Sequence, residues 1–255
     1  MNKLIFILSF LFVSIKAIAG DYSITAGAEY TNGDYGGDID TSIFYAPFTL
    51  EYKAKRYSWG VTVPFVYISG SEDVVISSTT KTSMTTTKKT STTSSTDRTD
   101  SGIGDIQLTG TYHLTKETAD SPWLGVTGTI KLGTADEDKN LGTGETDYSL
   151  QLDAGKKALH GYIGYRIIGD SDTVDYDNTF FMSAGVTLPG NNEWMTTIDY
   201  YFEEASVSGG DDAQDLTLTW GKKLEQRKFM SVYFIKGLSD ASPDLGVGIT
   251  LTYGL

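Results

Sequence analysis

Two histidines are all the imidazole this chain has. His113 is followed by Leu114 and Thr115, and His160 by Gly161 and Tyr162. Neither spacing sets a serine beside a general base, so a Ser–His–Asp site has no visible nucleophile. No catalytic residue is assigned, and the chain is read as a non-enzyme. Carboxylates are plentiful and clustered: Asp34, Asp38 and Asp40; Asp136, Glu137 and Asp138; Asp170, Asp172, Asp175 and Asp177; Asp211 and Asp212. Such groups can hold Ca²⁺ or Mg²⁺, but a calcium loop needs a central Gly and a closing Glu at fixed spacing. Neither is present, so these are expected to be solvated loop charges, with no metal site and no cofactor. Leu141-Gly-Thr-Gly-Glu145 lacks the third glycine and the following helix of a phosphate cradle. A third set is more informative. Glu29, Asp105, Gln107, Lys131, Asp153, Arg166, Asp199 and Asp215 each fall on the polar side of an alternating stretch. Rings of charge on one inner wall are what sets selectivity in a pore.

Those stretches are strands. The last, Asp244 to Leu255, sets Leu245, Val247, Ile249, Leu251 and Tyr253 against Gly246, Gly248, Thr250, Thr252 and Gly254. A period of two with one wholly apolar face fits a wall between lipid and a wet lumen. About twelve such segments recur, each near the ~9–11 residues that a tilted strand needs to cross a bilayer. They begin with Tyr22–Thr31, which is expected to pair with the last. The fourth is placed at Gly102–Leu114. In the eleventh, Phe229–Leu238, Lys236 is taken to face inward, which turns Phe229, Tyr233 and Ile235 toward lipid. Aromatic residues near strand ends, among them Tyr22, Tyr52, Tyr57, Trp123, Trp194, Trp220 and Tyr253, are expected to form interfacial girdles.

Short and long connections alternate between these segments, as the two ends of an outer-membrane barrel require. Residues 1–19 have a positive start, a short apolar run and a small-x-small ending at Ala17-Ile-Ala19, the pattern of a secretory signal peptide. Residues 20–255 are then one barrel. Hydrophobic content of 39% with 28 glycines and no cysteine suits a barrel with a polar inside and no disulfides. A net charge of −13 excludes nucleic acid as a partner. The connection at about 70–101 is nearly all Thr and Ser, and is read as an external loop: a projecting hairpin, a disordered segment or an inward plug.

The stretch Ser101-Gly-Ile-Gly-Asp-Ile-Gln-Leu-Thr-Gly-Thr-Tyr-His-Leu114, with Gly125-Val-Thr-Gly-Thr-Ile-Lys-Leu-Gly133 and Leu141-Gly-Thr-Gly-Glu-Thr-Asp-Tyr-Ser-Leu150, resembles the meta-pathway phenol-degradation family of outer-membrane transporters. The resemblance is close over about 50 residues. Gly133 stands where that family commonly has proline, and no glycine follows Thr134. The resemblance implies uptake of small, often aromatic or apolar, compounds.

The expected fold is all-β: a closed antiparallel transmembrane β-barrel of about 12 strands in the bacterial outer membrane. The expected function is passive passage of small solutes. The alternative is a non-conducting barrel that displays the Thr/Ser-rich loop. Expected partners are the bilayer and its outer-membrane lipids, a small-molecule solute and the barrel-insertion machinery. Two states of the interior stand open: a hydrated pore in which surplus carboxylates favour cations, or an interlocked set of salt bridges.

Overall fold

The computed structural model describes residues 20–37, 39–79, 84–88, 97–171, 174–191 and 193–255. The expected leader therefore lies outside the described residues, as does much of the Thr/Ser-rich run. The chain forms β1 (Asp21–Gly33), β2 (Thr41–Lys53), β3 (Tyr57–Ser71), β4 (Val74–Thr79), β5 (Met84–Lys88), β6 (Asp97–Ile103), β7 (Ile106–Thr115) and β8 (Trp123–Leu132). Then follow β9 (Asp147–Lys156), β10 (Leu159–Ile167), β11 (Thr179–Pro189), β12 (Trp194–Glu203), β13 (Ala213–Glu225), β14 (Lys228–Gly237) and β15 (Leu245–Gly254). Among the described residues the helical structure is one 3-10 turn, Glu137–Lys139.

Every neighbouring pair in the wall is antiparallel, and the wall closes on itself. β1 pairs with β15 from Ser23 opposite Gly254 to Asn32 opposite Leu245. Leu255 N–H donates to Tyr22 O at 2.8 Å across the same seam. Closure leaves no unpaired strand edge in the hydrocarbon, the condition a membrane imposes on a sheet. The result is a twelve-stave barrel whose fourth stave is broken in two. β6 pairs with the outer half of β3 and β7 with its inner half. The expected strand at Gly102–Leu114 is thus interrupted at Gly104 and Asp105, and the wall beside β3 begins five residues earlier, at Asp97. β4 and β5 form a separate hairpin.

Alternation sorts the faces. On β15, Leu245, Val247, Ile249, Leu251 and Tyr253 are between 42% and 63% exposed, while Thr250 is 5% exposed. An exposed apolar band of this kind is a lipid-facing surface. Tyr22, Tyr52, Tyr57 and Trp59 cluster at its periplasmic edge, with ring centroids 4.9 to 6.4 Å apart.

The expected phase of β14 and the expected girdle position of Trp123 are corrected. On β14, Tyr233 and Ile235 are buried on the inner face and Phe234 is exposed outside. Lys236 points outward but sits at the outer end of the strand, where its Nζ donates to Asp244 O at 3.0 Å. The penalty for a lipid-facing lysine fades away from the midplane, so Lys236 could not fix the phase. Trp123 turns inward, in line with buried Gly125 and Lys131, and lies over Gly155 on the lumen wall.

Candidate functional site: the barrel lumen

The extracellular half of the lumen is organised around Lys131, which is 4% exposed. Its Nζ lies 2.9 Å from Asp105 Oδ2 and 3.0 Å from Asp147 Oδ2, and donates to Thr143 Oγ1 at 2.6 Å. One cation between two buried carboxylates leaves negative charge to be offset. Backbone donors do this. Thr134 N–H and Ala135 N–H each reach Asp105 Oδ1 at 2.9 Å, and Gly169 N–H reaches Asp147 Oδ1 at 3.1 Å. Asp105 is free to turn inward because the fourth stave breaks there. The three segments that carry the family resemblance thus meet in one knot: Gly104-Asp105, Lys131 to Thr134, and Leu141 to Asp147. The departure at Gly133 has a local cause. A Cβ there would lie 2.1 Å from Gly144 O, so the inward fold of residues 133–146 admits no side chain at that point.

A second ion pair lies on the neighbouring staves, β10 to β12. Arg166 Nη1 donates to Glu203 Oε1 at 2.5 Å. Thr179 Oγ1 donates to the same oxygen at 3.0 Å, and Tyr201 OH to Glu203 Oε2 at 2.6 Å. The Arg166 guanidinium also stands 5.4 Å from the Phe181 ring centroid. Glu29, 1% exposed, accepts Tyr233 OH on Oε2 at 2.9 Å, and its buried Oε1 has no hydrogen-bond partner among the described residues.

Apolar side chains fill the rest of the extracellular end. Ile43 and Tyr45 of β2 and Val66 and Ile68 of β3 face inward, and Tyr35, Val74, Ile76 and Leu141 pack onto them from above. Each fully buried Val or Ile contributes roughly 1.5–3 kcal/mol. The root of the β4–β5 hairpin is therefore an inward plug, and Leu141, with Ala135 packed beside it, joins from the next extracellular loop, residues 133–146. Hydrogen bonds tie these loops together: Ile76 N–H to Asn140 O at 3.3 Å, and the Asn140 side-chain Nδ2 to Glu72 O at 2.5 Å. Arg98 reaches Asp138 O and Asp100. Burial raises the Tyr35 phenol above its ordinary range. Outside the plug, Lys139 holds the Asp136 carboxyl below its usual value.

From mid-barrel to the periplasmic end the wall changes character. Hydroxyl pairs cross between strands: Thr25–Thr252 at 2.8 Å, Thr49–Thr62 at 2.9 Å, Thr111–Thr127 at 2.9 Å, Thr187–Thr197 at 3.0 Å and Ser231–Thr250 at 2.6 Å. Asp153 accepts Thr127 Oγ1 at 2.7 Å and Gln151 Nε2 at 2.6 Å. His160 and Asp199 lie 2.8 Å apart, with side chains 32% and 27% exposed. Water therefore reaches His160 and Asp199, as it does not reach Lys131 or Glu29.

All eight residues singled out in the sequence fall on the inner face or, for Asp105, at the break that turns it inward. They do not form one set. Asp105 and Lys131 belong to the knot, Gln107 stands opposite Lys131 in the register, Arg166 belongs to the neighbouring ion pair with Glu203, and Glu29 to the Tyr233 contact. Asp153, Asp199 and Asp215 lie in the hydroxylated region or, for Asp215, beside Thr217 Oγ1 at 3.4 Å. Sequence reasoning missed Asp147, Thr143, Glu203 and Tyr233. Asp147 and Glu203 share the inward parity of Asp153 and Asp199, and that parity was the signal. No group of three or more potential metal ligands occurs among the described residues.

A closed antiparallel wall, apolar outside and polar inside, defines a transmembrane β-barrel of the bacterial outer membrane. The chain belongs to the family described as "Putative MetA-pathway of phenol degradation", whose model matches residues 20–255. Among solved structures it is similar to an outer membrane channel from Pseudomonas putida F1, with TM-score 0.64 and 14% identity, over 92% of this chain and 96% of that one. It is also similar to the translocator domain of autotransporter NalP from Neisseria meningitidis, with TM-score 0.50 and 11% identity, over 94% of this chain and 90% of that one. No curated protein matches the chain. At such identities the likeness is one of fold, and two different tasks on similar barrels show why function must be argued from the lumen.

Proposed function

We propose that the protein is an outer-membrane channel for passive passage of small solutes, aromatic or apolar compounds among them. The observation that carries this is the lumen itself: hydroxyls and half-exposed charged groups line it from mid-barrel to the periplasmic end. The solved barrel of TM-score 0.64 is described as an outer membrane channel, and the family's description names phenol degradation. Selectivity in this reading rests on Asp153, Asp199 and Asp215. Asp105, Lys131, Arg166 and Glu29 act on the width of the extracellular mouth, because their charges are spent on one another or shielded from water. His160 beside Asp199 is a lumen wall pair without a nucleophile assigned to it. Residues 1–19 direct export as a signal peptide, and the insertion machinery is the assembly partner.

Reconstitution into planar bilayers tests the reading. The expected result is conductance with a cation preference that falls in Asp153→Asn/Asp199→Asn. Absence of conductance and of solute flux, with and without residues 72–96, would sink the channel reading. Unchanged reversal potentials would remove the two aspartates from the selectivity role.

A further inference from the structure

The two ends of the barrel carry opposite charge. The sequence between the strands on the extracellular side, residues 34–40, 72–96, 133–146, 168–178, 204–212 and 238–244, holds eighteen Asp and Glu against four Lys. The periplasmic rim, residues 20–21, 53–57, 115–122, 156–159, 189–193 and 222–228, holds ten Lys and Arg against five Asp and Glu. Three of these cations sit on the lipid-facing side of the wall. Lys156 shares the outward parity of Leu150, Leu152 and Ala154 and stands opposite Leu159. Lys222 shares that of Leu218 and Trp220 and stands opposite Trp194, with its Nζ 5.1 Å from the ring centroid. Lys228 stands opposite Tyr253. Leu159, Trp194 and Tyr253 are 66%, 39% and 49% exposed, so each lysine borders the lipid band. Among the described residues, Lys156 and Lys222 have no carboxylate within ion-pair range, and Lys228 shares Glu225 at 2.8 Å.

We infer that the periplasmic rim binds the anionic headgroups of the phospholipid leaflet it faces, through Lys156, Lys222 and Lys228. The chemistry follows from the placement. Lysine stems run along apolar surface while the ammonium reaches out to the headgroup level. The ring or aliphatic neighbour beside each one takes the upper acyl chain, and the remaining turn cations add a field that attracts anionic lipid. The acidic extracellular end repels the same headgroups, so the preference belongs to one end of the barrel. It does not depend on what passes through the lumen.

The test is lipid selectivity at the barrel surface. The full chain is refolded into phosphatidylcholine vesicles that contain a trace of spin-labelled phosphatidylglycerol or, separately, spin-labelled phosphatidylcholine. The motionally restricted fraction is expected to be about twofold larger for phosphatidylglycerol, and to fall toward parity in Lys156→Gln/Lys222→Gln/Lys228→Gln and in high salt. Equal fractions in the wild type, or an excess that survives the triple substitution, would overturn the inference. If the triple variant does not fold, Lys156→Gln and Lys222→Gln alone must each lower the excess, and failure of both to do so counts against it equally. Conductance of the variants keeps this outcome separate from the fate of the channel reading.

Discussion

The extracellular and periplasmic halves of this lumen are built by the same strands under the same alternation, yet they are different materials. In the outer half, inward positions carry Lys131, Asp147, Arg166, Glu203, Ile43 and Val66, all buried, and loops fold down onto them. In the inner half the same parity places Thr25, Thr127 and Thr197, paired by hydroxyl bonds and only partly covered, with Thr62 buried against Thr49. The difference does not come from the sheet. It comes from what the connections bring: residues 133–146 supply Thr143, Leu141 and the donors at Thr134 and Ala135, and β4 supplies Val74 and Ile76. Short periplasmic turns cannot reach back into the barrel, so that half must be finished by strand residues alone. A polar group in the dry half is held by its partners, and one in the wet half is held by partners or by water.

Lys131→Met breaks the comparison hardest. It leaves Asp105 and Asp147 buried with no cation between them, and removing one member of a buried ion pair costs about 3–5 kcal/mol. The expected outcome is a large fall in the urea midpoint of the refolded barrel, followed by gel mobility of the heat-resistant form. Adding Asp105→Asn should recover part of the loss, because it removes one of the stranded charges. A second prediction concerns the plug. Val74→Ala/Ile76→Ala takes apolar contact from the cap, at a cost near 2–5 kcal/mol for the isoleucine. That cost falls on docking of the hairpin rather than on the wall, so the barrel midpoint should hold while single-channel conductance rises. Unchanged conductance would mean that the mouth is not closed by β4.

How far these halves could be read from sequence differs in the same way. The periplasmic half was legible apart from Trp123, which turns inward. The alternation of Leu245 to Tyr253 against Gly246 to Thr252 identifies lipid and lumen faces without any tertiary information, and it also names the closing partner, Tyr22–Thr31. The extracellular half was not. Residues 141–145 carry no periodicity, and nothing local says that Leu141 is buried or that Thr143 meets Lys131. The break at Gly104-Asp105 shifts the phase by one residue, since Ile103 faces out on the odd side and Leu108 on the even side, and the polar run of β6 before Ile103 shows no apolar alternation that would reveal it. On β14 the apolar residues fill both faces, so the phase hung on Lys236, which sits too near the rim to report depth. The eight inward polar residues were found because parity is local; their partners were not, because partnership is long-range.

Gly248→Ala probes the border between the halves. A Cβ at Gly248 would lie 2.1 Å from Tyr233 Cζ, so the ring must leave its place and with it the bond to Glu29 Oε2. Among the described residues Glu29 already has one unpartnered oxygen, and stranding the second costs about 1–3 kcal/mol if water stays out. Tyr233→Phe isolates the hydrogen bond from the displacement. The expected order of urea midpoints is wild type, then Tyr233→Phe, then Gly248→Ala. If Tyr233→Phe matches the wild type, Glu29 has found water, and the dry region ends above it.

Thr111→Val should show the smallest effect and says most about the wet half. Thr111 Oγ1 lies 2.9 Å from Thr127 Oγ1, and Thr127 Oγ1 also donates to Asp153 Oδ2 at 2.7 Å. With Thr111 truncated of its hydroxyl, Thr127 keeps Asp153, and lumen water can take the vacated position. The loss should therefore stay at or below about 0.5–1 kcal/mol, the net worth of an ordinary hydrogen bond whose partner is not stranded. A drop as large as that of Lys131→Met would mean that Thr127 and Asp153 are dry in the folded barrel. The hydroxyl pairs would then be a second sealed layer, and the half-exposure of His160 and Asp199 would mark a vestibule at the periplasmic mouth instead of a continuous wet path.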